Sequence, residues 1–263
     1  MKKYLVIGNP IGHSLSPKLH NHWIKKNNID AVYDKKQLNE NDIEGTILKV
    51  RNGEIDGINV TVPFKKFVIP YLDQLTPLAN KTQSVNTIYK EKNKVIGHNT
   101  DVGGFELGLK RINYSVKNKK VFILGAGGVV SSIILALKKM GSSKIILSNR
   151  TKEKAEALKK IYSDLEIIDW GETPDFNVII NATSLGLKNH DEIKLDYTDI
   201  GSNKLFYDVI YNPRQTKFLS KAKQFGNQIE NGKMMFVYQA HQAFTIWHKI
   251  MPEIDDETIK LLD

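Results

Sequence analysis

The chain has 263 residues, 41% of them hydrophobic, with no cysteine and a formal net charge of +9. This length fits one large domain or two of ordinary size, and the lack of cysteine excludes disulfides, thiolate nucleophiles and Cys-ligated zinc. No apolar run approaches the roughly 20 residues that a membrane-spanning helix needs, and the first residues lack the pattern of a signal peptide. No basic run is interleaved with aromatic residues, so the charge indicates a lysine-rich surface rather than a nucleic-acid groove. We expect a cytoplasmic monomer or homodimer with no membrane or nucleic-acid partner.

The first part of the chain alternates short apolar runs with amphipathic segments, which predicts alternating strands and helices. Ser16 is expected to cap the first helix, with Pro17 at the first helical position. Two short strands at 86–89 and 94–98 are expected to form a hairpin around a polar turn at 90–93. The other predicted elements are strands at 3–8, 31–38 and 55–63 and helices at 17–27, 42–50 and 66–72.

A second series of alternating elements begins at Lys120. The spacing predicts strands at 121–124, 144–148, 177–181 and 204–210, and helices at 129–140 and 152–162, which is typical of an open parallel sheet with helices on both faces. A last helix, 235–250, carries one apolar face and is expected to pack back on the first domain. The prediction is an α/β protein with domains at 1–101 and 102–234, followed by C-terminal helices at 235–263.

The segment 125–128, Gly-Ala-Gly-Gly, separates a predicted strand from a predicted helix. Glycines at such a turn let a pyrophosphate approach the backbone at a helix N-terminus, as in Rossmann-like, doubly wound domains. The next strand ends in Asn-Arg-Thr at 149–151, where a domain specific for NAD carries an acidic residue. The planar guanidinium of Arg150 can bind a 2′-phosphate and Lys154 can add a positive charge, which favours NADP. The alternatives are a plain strand-to-helix turn and an ordinary surface arginine.

Two stretches of the first domain are unusual for packing segments. Ser14 and Ser16 place two hydroxyls at a helix start, where they and free backbone N–H groups can receive a carboxylate; simple capping by Ser16 is the alternative. The segment 59–65, Asn-Val-Thr-Val-Pro-Phe-Lys, alternates polar and apolar residues. This alternation predicts that Val60, Val62 and Phe64 face the core while the polar positions face the other way.

Lys65, at the end of this segment, is a candidate proton donor and acceptor, because a partly enclosed lysine can exchange protons near the working pH. Asp101 follows the predicted hairpin, and an adjacent carboxylate would orient the ammonium group. A solvated lysine with no partner is the alternative, since the sequence does not establish that the two side chains meet. Asn86 offers an amide to a substrate hydroxyl.

These segments together resemble the shikimate dehydrogenases, and the likeness runs from Tyr4 to about Trp247. The shared motifs, in order, are Ser-Leu-Ser-Pro at 14–17, the segment 59–65, Val-Asn-Thr at 85–87, Asn-Thr-Asp at 99–101, Gly-Ala-Gly-Gly at 125–128, Asn-Arg-Thr at 149–151, Asn-Ala-Thr-Ser at 181–184, Asp-Val-Ile-Tyr-Asn-Pro at 208–213 and Gln-Ala at 239–240. The resemblance implies NADPH-dependent reduction of 3-dehydroshikimate to shikimate on the route to aromatic amino acids.

The resemblance also implies a set of site residues, with Lys65 and Asp101 as the catalytic pair and no metal. The first domain would bind substrate and the second NADP. The implied substrate contacts are Ser14, Ser16, Asn59, Thr61, Lys65, Asn86, Asp101, Tyr211 and Gln239. The implied cofactor contacts are Gly125, Ala126, Gly127, Gly128, Val129, Asn149, Arg150, Thr151, Lys154, Thr183, Val209 and Gly232. The chain departs from the family pattern at Val130, Ser132 and Met234, all near the cofactor contacts.

Other functions fit the residues less well. A relative that oxidises quinate with NAD is the nearest alternative, and Arg150 argues against NAD. A short-chain dehydrogenase would need a Tyr-x-x-x-Lys pair, which the chain lacks. A catalytically dead sensor would have no need of Lys65 and Asp101. A metal site at His20 and His22 is not expected, because residues two apart on a helix lie on different faces; both are predicted at the surface.

Overall fold

A computed structural model describes residues 1–188 and 191–263. The chain forms two compact units, one made of Met1–Gly104 with Val237–Asp263 and the other of Phe105–Phe236. Within the described residues, no helix has the length and apolar character required to cross a membrane.

The elements of the first unit are β1 (Lys2–Gly8), α1 (Ser16–Lys26), β2 (Ala31–Gln37), α2 (Ile43–Arg51), β3 (Gly57–Val60), β4 (Gln74–Leu75), α3 (Pro77–Thr82), β5 (Thr87–Glu91), β6 (Lys94–His98), the start of α4 (Asp101–Arg111), most of α9 (Lys233–His248) and α10 (Asp256–Lys260). Its strands form a six-stranded mixed sheet in the order β2-β1-β3-β5-β6-β4. Strands β1, β2 and β3 are parallel, whereas β5 and β6 form the predicted antiparallel hairpin.

Helix α9 lies against the middle of this sheet. Trp247 Nε1 donates a hydrogen bond to the Ile88 carbonyl at 3.1 Å, across 159 residues of sequence. Gly57 permits this approach, because a Cβ there would lie 2.3 Å from Trp247 Nε1. The predicted return of the C-terminal helices to the first part of the fold is confirmed.

The predicted helix at 66–72 is wrong. The chain makes turns there and a short 3-10 helix at Ile69–Tyr71. Pro70 explains the failure, because proline has no N–H for the helical ladder and disfavours the α conformation in the residue before it. The apolar periodicity of the segment arises from irregular packing, in which Val68 is fully buried while Phe67 is 43% exposed.

Strand β3 is shorter than predicted, and this changes the environment of the residues after it. It ends at Val60, and a turn follows in which Phe64 N–H donates to the Thr61 carbonyl at 2.9 Å. The alternation therefore stops, and Val62, which was predicted to face the core, is 56% exposed. Phe64 is buried as predicted.

Two predictions about α1 are also wrong. Ser16 does not cap the helix; it is the first helical residue, and no side chain caps the helix at Leu15. The Ser14 hydroxyl instead accepts the Ser16 N–H at 3.3 Å. His20 is not at the surface: it is fully buried, and its ring stacks on Tyr33 with centroids 4.2 Å apart. The helix looks polar in sequence, but its inner face meets β2 and the aromatic residues of α9.

The elements of the second unit are the rest of α4, β7 (Lys120–Leu124), α5 (Val130–Lys139), β8 (Lys144–Ser148), α6 (Lys152–Ile161), β9 (Glu166–Ile168), β10 (Val178–Asn181), α7 (Tyr197–Ile200), β11 (Leu205–Asp208), α8 (Lys217–Gln224), β12 (Gln228–Glu230) and the start of α9. Its strands form a six-stranded sheet, parallel throughout, in the order β12-β11-β10-β7-β8-β9, which confirms the predicted Rossmann-like sheet. Its apolar core includes Phe122, Phe176 and Phe206.

The register of this sheet decides which loops are neighbours. Leu124 at the end of β7 pairs with Ser148 on one side and with Asn181 on the other, and Asn181 pairs with Asp208. The loops that follow β7, β8, β10 and β11 therefore all leave the same edge of the sheet. In open α/β sheets this carboxyl edge is where ligands bind.

Candidate active site

A buried ion pair joins Lys65 to Asp101 in the first unit. Lys65 lies in the loop after β3, Asp101 begins α4, and Lys65 Nζ lies 2.6 Å from Asp101 Oδ2. The two residues are 8% and 5% exposed. Val85 N–H donates to the Lys65 carbonyl at 2.8 Å, which fixes the loop against the neighbouring segment. The structure brings the two predicted catalytic residues into direct contact, and their catalytic role stays a prediction.

Asn86 connects this pair to other predicted substrate residues. Its Nδ2 lies 3.0 Å from Asp101 Oδ1, 2.8 Å from Thr100 Oγ1 and 3.2 Å from Gln239 Oε1. Its Oδ1 accepts the Thr100 N–H at 2.8 Å. Asn86 is buried, whereas Gln239 on α9 is partly exposed. Carboxylate, ammonium and amide groups thus form one connected polar cluster, suited to binding hydroxyl groups and moving a proton.

Asn59 lies next to this cluster, but its side chain is largely occupied within the protein. Tyr33 Oη donates to Asn59 Oδ1 at 2.7 Å. Asn59 Nδ2 lies 3.0 Å from the Asn86 carbonyl and 3.2 Å from Thr87 Oγ1. Since an amide nitrogen has two hydrogens, only the second lone pair of Oδ1 remains for a ligand. The direct contact between Asn59 and a substrate stays a prediction, with this one acceptor position available for it.

Ser14, Ser16 and Thr61 lie in or beside loops that leave one edge of the sheet. The loop after β1 leads to Ser14 and the start of α1, while Thr61 N–H donates to the Ile7 carbonyl at the end of β1 at 2.9 Å. Ser14 and Thr61 are partly exposed, and Ser16 is 7% exposed. Burial raises the pKa of Tyr33 well above its usual value, and a hydrogen bond with Ser16 opposes this rise. Hydroxyls at a helix N-terminus are suited to an anionic group such as a carboxylate.

The glycine turn of the second unit has room for a ligand. Gly125 has φ +108°, and a Cβ there would lie 2.8 Å from the Ala182 carbonyl oxygen, so glycine is required by the fold. Gly127 is different: it is exposed, and the nearest atom to a Cβ there would be 3.8 Å away. Internal packing does not demand glycine at 127, whereas close approach of a phosphate to the backbone does. The turn, which includes the predicted contacts Ala126, Gly128 and Val129, leads directly into α5.

Asn149 links this turn to the predicted 2′-phosphate residues. Its Oδ1 accepts the Ala126 N–H at 3.0 Å, and its Nδ2 donates to the Thr151 carbonyl at 2.7 Å. Arg150, Thr151 and Lys154 are exposed beside it, at the end of β8 and in the first turn of α6. Asn149 thus orders the segment that presents both cations, and the residues present fit a dinucleotide with a 2′-phosphate.

The remaining predicted cofactor residues follow β10, β11 and β12. Thr183 donates its hydroxyl to Asn181 Oδ1 at 2.7 Å, and Val209 N–H donates to the Asn181 carbonyl at 2.9 Å. A Cβ at Gly232 would lie 2.0 Å from the Val209 carbonyl oxygen. Gly232 is therefore required by backbone packing, whether or not it also contacts a ligand.

Tyr211 lies in the second unit and stacks on Phe236, with ring centroids 4.8 Å apart. The Asn86 cluster belongs to the first unit. The three departures from the family pattern, Val130, Ser132 and Met234, are all buried.

The groups that hold the predicted residues in place were not predicted from the sequence. Tyr33 supports Asn59, Thr100 supports Asn86, and Asp208 bonds Asn181. One signal was available, because Asn181 and Asp208 each end a buried apolar strand at the carboxyl edge, where polar side chains meet. Tyr33 carried no comparable signal, since a tyrosine in a strand is usually a packing residue.

The chain matches two sequence models of known families. Residues 6–88 match the shikimate dehydrogenase substrate binding domain, and residues 106–215 match shikimate / quinate 5-dehydrogenase. The NADP(+) shikimate dehydrogenase of Pelagibacter ubique is 61% identical over 262 residues, which cover 100% of this chain and 99% of that protein.

Solved structures agree over the same length. The shikimate dehydrogenase of Aquifex aeolicus is 36% identical with a TM-score of 0.90, covering 100% of this chain and 97% of that one. The Thermus thermophilus enzyme, solved in complex with NADP(H) and shikimate, is 27% identical with a TM-score of 0.90, covering 100% and 98%. This chain belongs to the shikimate dehydrogenase family.

Proposed function

We propose that this protein catalyses the reversible, NADPH-dependent reduction of 3-dehydroshikimate to shikimate, in the cytoplasm, as a step in the formation of aromatic amino acids. The single observation that carries the proposal is the buried contact between Lys65 Nζ and Asp101 Oδ2 at 2.6 Å, joined through Asn86 to Gln239. It supplies a proton-exchanging group, a carboxylate to orient it, and amides for ring hydroxyls. The full-length likeness to NADP(+) shikimate dehydrogenases supports the same substrate and cofactor.

Lys65 is the proposed acid–base group. In the direction of reduction, its ammonium gives a proton to the ketone oxygen as the carbon gains a hydride, and the oxygen becomes a hydroxyl. In the reverse direction the neutral amine takes that proton back. Asp101 balances and orients the ammonium through Oδ2, while Asn86 holds the other carboxylate oxygen, so the pair stays in one geometry. Ser14 and Ser16 are proposed to bind the substrate carboxylate, with Thr61 and Gln239 at the ring.

NADPH supplies the hydride when it is bound. The segment 125–129 is proposed to hold its pyrophosphate through backbone N–H groups at the start of α5. Arg150 and Lys154 are proposed to bind the 2′-phosphate, with Asn149 keeping their segment attached to the glycine turn. Thr183 and Val209, at the ends of the central strands, are proposed to line the rest of the cofactor.

The test is the shikimate-dependent reduction of NADP, followed by the absorbance of NADPH, with quinate and NAD run in parallel. Turnover selective for shikimate and NADP is expected. Lys65→Met is expected to lose it, whereas Lys66→Met, at the neighbouring exposed lysine, should keep the wild-type rate. Lys65→Arg separates the two roles of the side chain, because a group that only positions substrate keeps substantial activity as arginine, whereas a proton-transfer group does not.

Oxidation of quinate is the second candidate, since the family model over 106–215 carries both substrates in its description. Faster NAD-linked oxidation of quinate would replace the proposed reaction. If folded protein that still binds NADP shows no turnover with any of the four combinations of shikimate or quinate with NADP or NAD, it is instead a binding protein without catalysis.

A further inference from the structure

A buried carboxylate lies at the carboxyl edge of the parallel sheet in the second unit. Asp208 ends β11 and is 0% exposed. Its partners are all neutral: the Asn181 amide at 3.0 Å, the Ile210 N–H at 3.0 Å and the Thr216 hydroxyl at 2.6 Å. No lysine or arginine within 1–188 and 191–263 forms an ion pair with it. An ionised group in such surroundings is costly, and burial raises the pKa of Asp208 to about 6.

The carboxylate acts on a neighbouring loop through Asn181. Asn181 Nδ2 donates to Asp208 Oδ1, and also to the Leu185 carbonyl at 3.0 Å. Asn181 Oδ1 accepts both the N–H and the hydroxyl of Thr183, at 3.0 and 2.7 Å. Thr183 Oγ1 then accepts the Leu185 N–H at 3.0 Å. These hydrogen bonds thus hold the segment 182–185 against the Asn181 side chain.

The chemistry of Asp208 matches the direction of these bonds. An ionised carboxylate only accepts hydrogen bonds, so it requires the nitrogen of the Asn181 amide to face it. The amide oxygen must then face Thr183, and the Thr183 hydroxyl must donate its hydrogen bond to that oxygen. Thr183 consequently presents an oxygen lone pair, and no hydrogen, to any ligand that meets it. The Leu185 carbonyl, which only accepts, and the Thr183 N–H, which only donates, require the same orientation of the Asn181 amide. Asp208 adds a charge-assisted hydrogen bond to this arrangement, and a neutral amide in place of the carboxylate would remove that charge and weaken the hold on the Asn181 side chain.

We propose that Asp208 is a positioning residue for NADP, which acts through Asn181 to hold Thr183 and the segment 182–185 in the form that binds the dinucleotide. This role rests on the proposed function, because it takes Thr183 as a cofactor contact. Val209 follows Asp208 directly, and the Ile210 N–H is held by the same carboxylate, so the segment after β11 is fixed by the same group.

The experiment compares wild type with Asp208→Asn, measuring the dissociation constant for NADP by calorimetry in the absence of substrate and the kinetic constants with shikimate. The variant loses one charge-assisted hydrogen bond and with it the relay, by which we mean the chain of hydrogen bonds from Asp208 through Asn181 to Thr183. This loss is expected to raise the Kd and the KM for NADP about tenfold. The KM for shikimate and kcat should stay within about twofold. Asp208→Asn should add little to the effect of Thr183→Val in the double variant, since both changes break one relay.

Thr216→Val is the matched control, because it removes a hydrogen bond to the other oxygen, Oδ2, without touching Asn181. It is expected to lower the unfolding temperature and leave the Kd for NADP unchanged. An equal rise in Kd for Thr216→Val and Asp208→Asn would show general loosening and overturn the proposal. Asn181→Ser cuts the relay at its centre and carries the same test if Asp208→Asn fails to fold.

The outcomes separate this proposal from the proposed function. If the wild-type protein turns over shikimate and the Kd for NADP is unchanged in Asp208→Asn, the role of Asp208 is overturned and the proposed function stands. Wild-type protein that binds NADP without oxidising shikimate overturns the function, while the calorimetric comparison still decides the role of Asp208. Wild-type protein that does not bind NADP overturns both.

Discussion

Lowering the pH is expected to destabilise the native state through His20. This ring is fully buried, and neither nitrogen has a hydrogen-bond partner among the residues that the structure describes. Burial, with a smaller contribution from the charge of His248, lowers the pKa of His20 from 6.5 to about 3. His20 is therefore protonated below about pH 6.5 in the unfolded chain, but only below about pH 3 in the native state.

The magnitude follows from that difference in pKa. Each pKa unit corresponds to about 1.36 kcal/mol, so His20 costs the native state about 3 kcal/mol at about pH 4.5 and about 4 kcal/mol near pH 3. The stabilising effect of the neutral ring is complete above the unfolded pKa and is lost as the pH falls. A typical domain has about 5–15 kcal/mol in total, so this single side chain is expected to make a large contribution to acid unfolding.

The assay is urea unfolding of wild type and His20→Leu across this pH range. Other titrating groups, His248 included, are present in both proteins and cancel in the difference. The wild-type free energy of unfolding, relative to that of His20→Leu, should fall by about 3 kcal/mol between about pH 7.5 and about pH 4.5. Parallel curves for the two proteins would refute the reasoning. Proton NMR of the wild-type ring, which should not titrate above about pH 4, tests the same point if the leucine variant does not fold.

Three further predictions concern the two sites. Lys65→Met leaves the Asp101 carboxylate buried without its cation and should lower the free energy of unfolding by about 3–5 kcal/mol. Adding Asp101→Asn should recover stability in urea titrations without restoring turnover. A double variant that is no more stable than Lys65→Met would contradict this prediction. Arg150→Ala should raise the Kd for NADP about tenfold or more, by calorimetry, with little change for NAD; an equal loss for both cofactors would count against a 2′-phosphate contact. Gly232→Ala places a Cβ 2.0 Å from the Val209 carbonyl oxygen and should lower the unfolding temperature by several degrees or more, so wild-type thermal stability would show that the backbone there yields easily.

Local signals were sufficient where one segment decides its own conformation. The buried run at 121–124, the glycines after it and the helical spacing at 129–140 predicted β7, the turn and α5, because each pattern specifies a backbone that its own residues favour. Gly141 follows this helix with φ +81°, a conformation that glycine adopts without steric cost. The motif residues of both sites were found in the same way, as polar groups and glycines at the ends of strands.

Only the tertiary structure decided which of these residues meet and which are buried. Lys65 and Asp101 are 36 residues apart, and nothing in either segment required their contact. His20 stands in a polar helix, yet it is buried because β2 and α9 cover that face of α1. Asp208 became significant only when the parallel register placed it beside Asn181. Periodicity reports what a segment prefers alone, whereas burial and contact depend on surfaces that distant segments bring together, and those surfaces exist only in the folded chain.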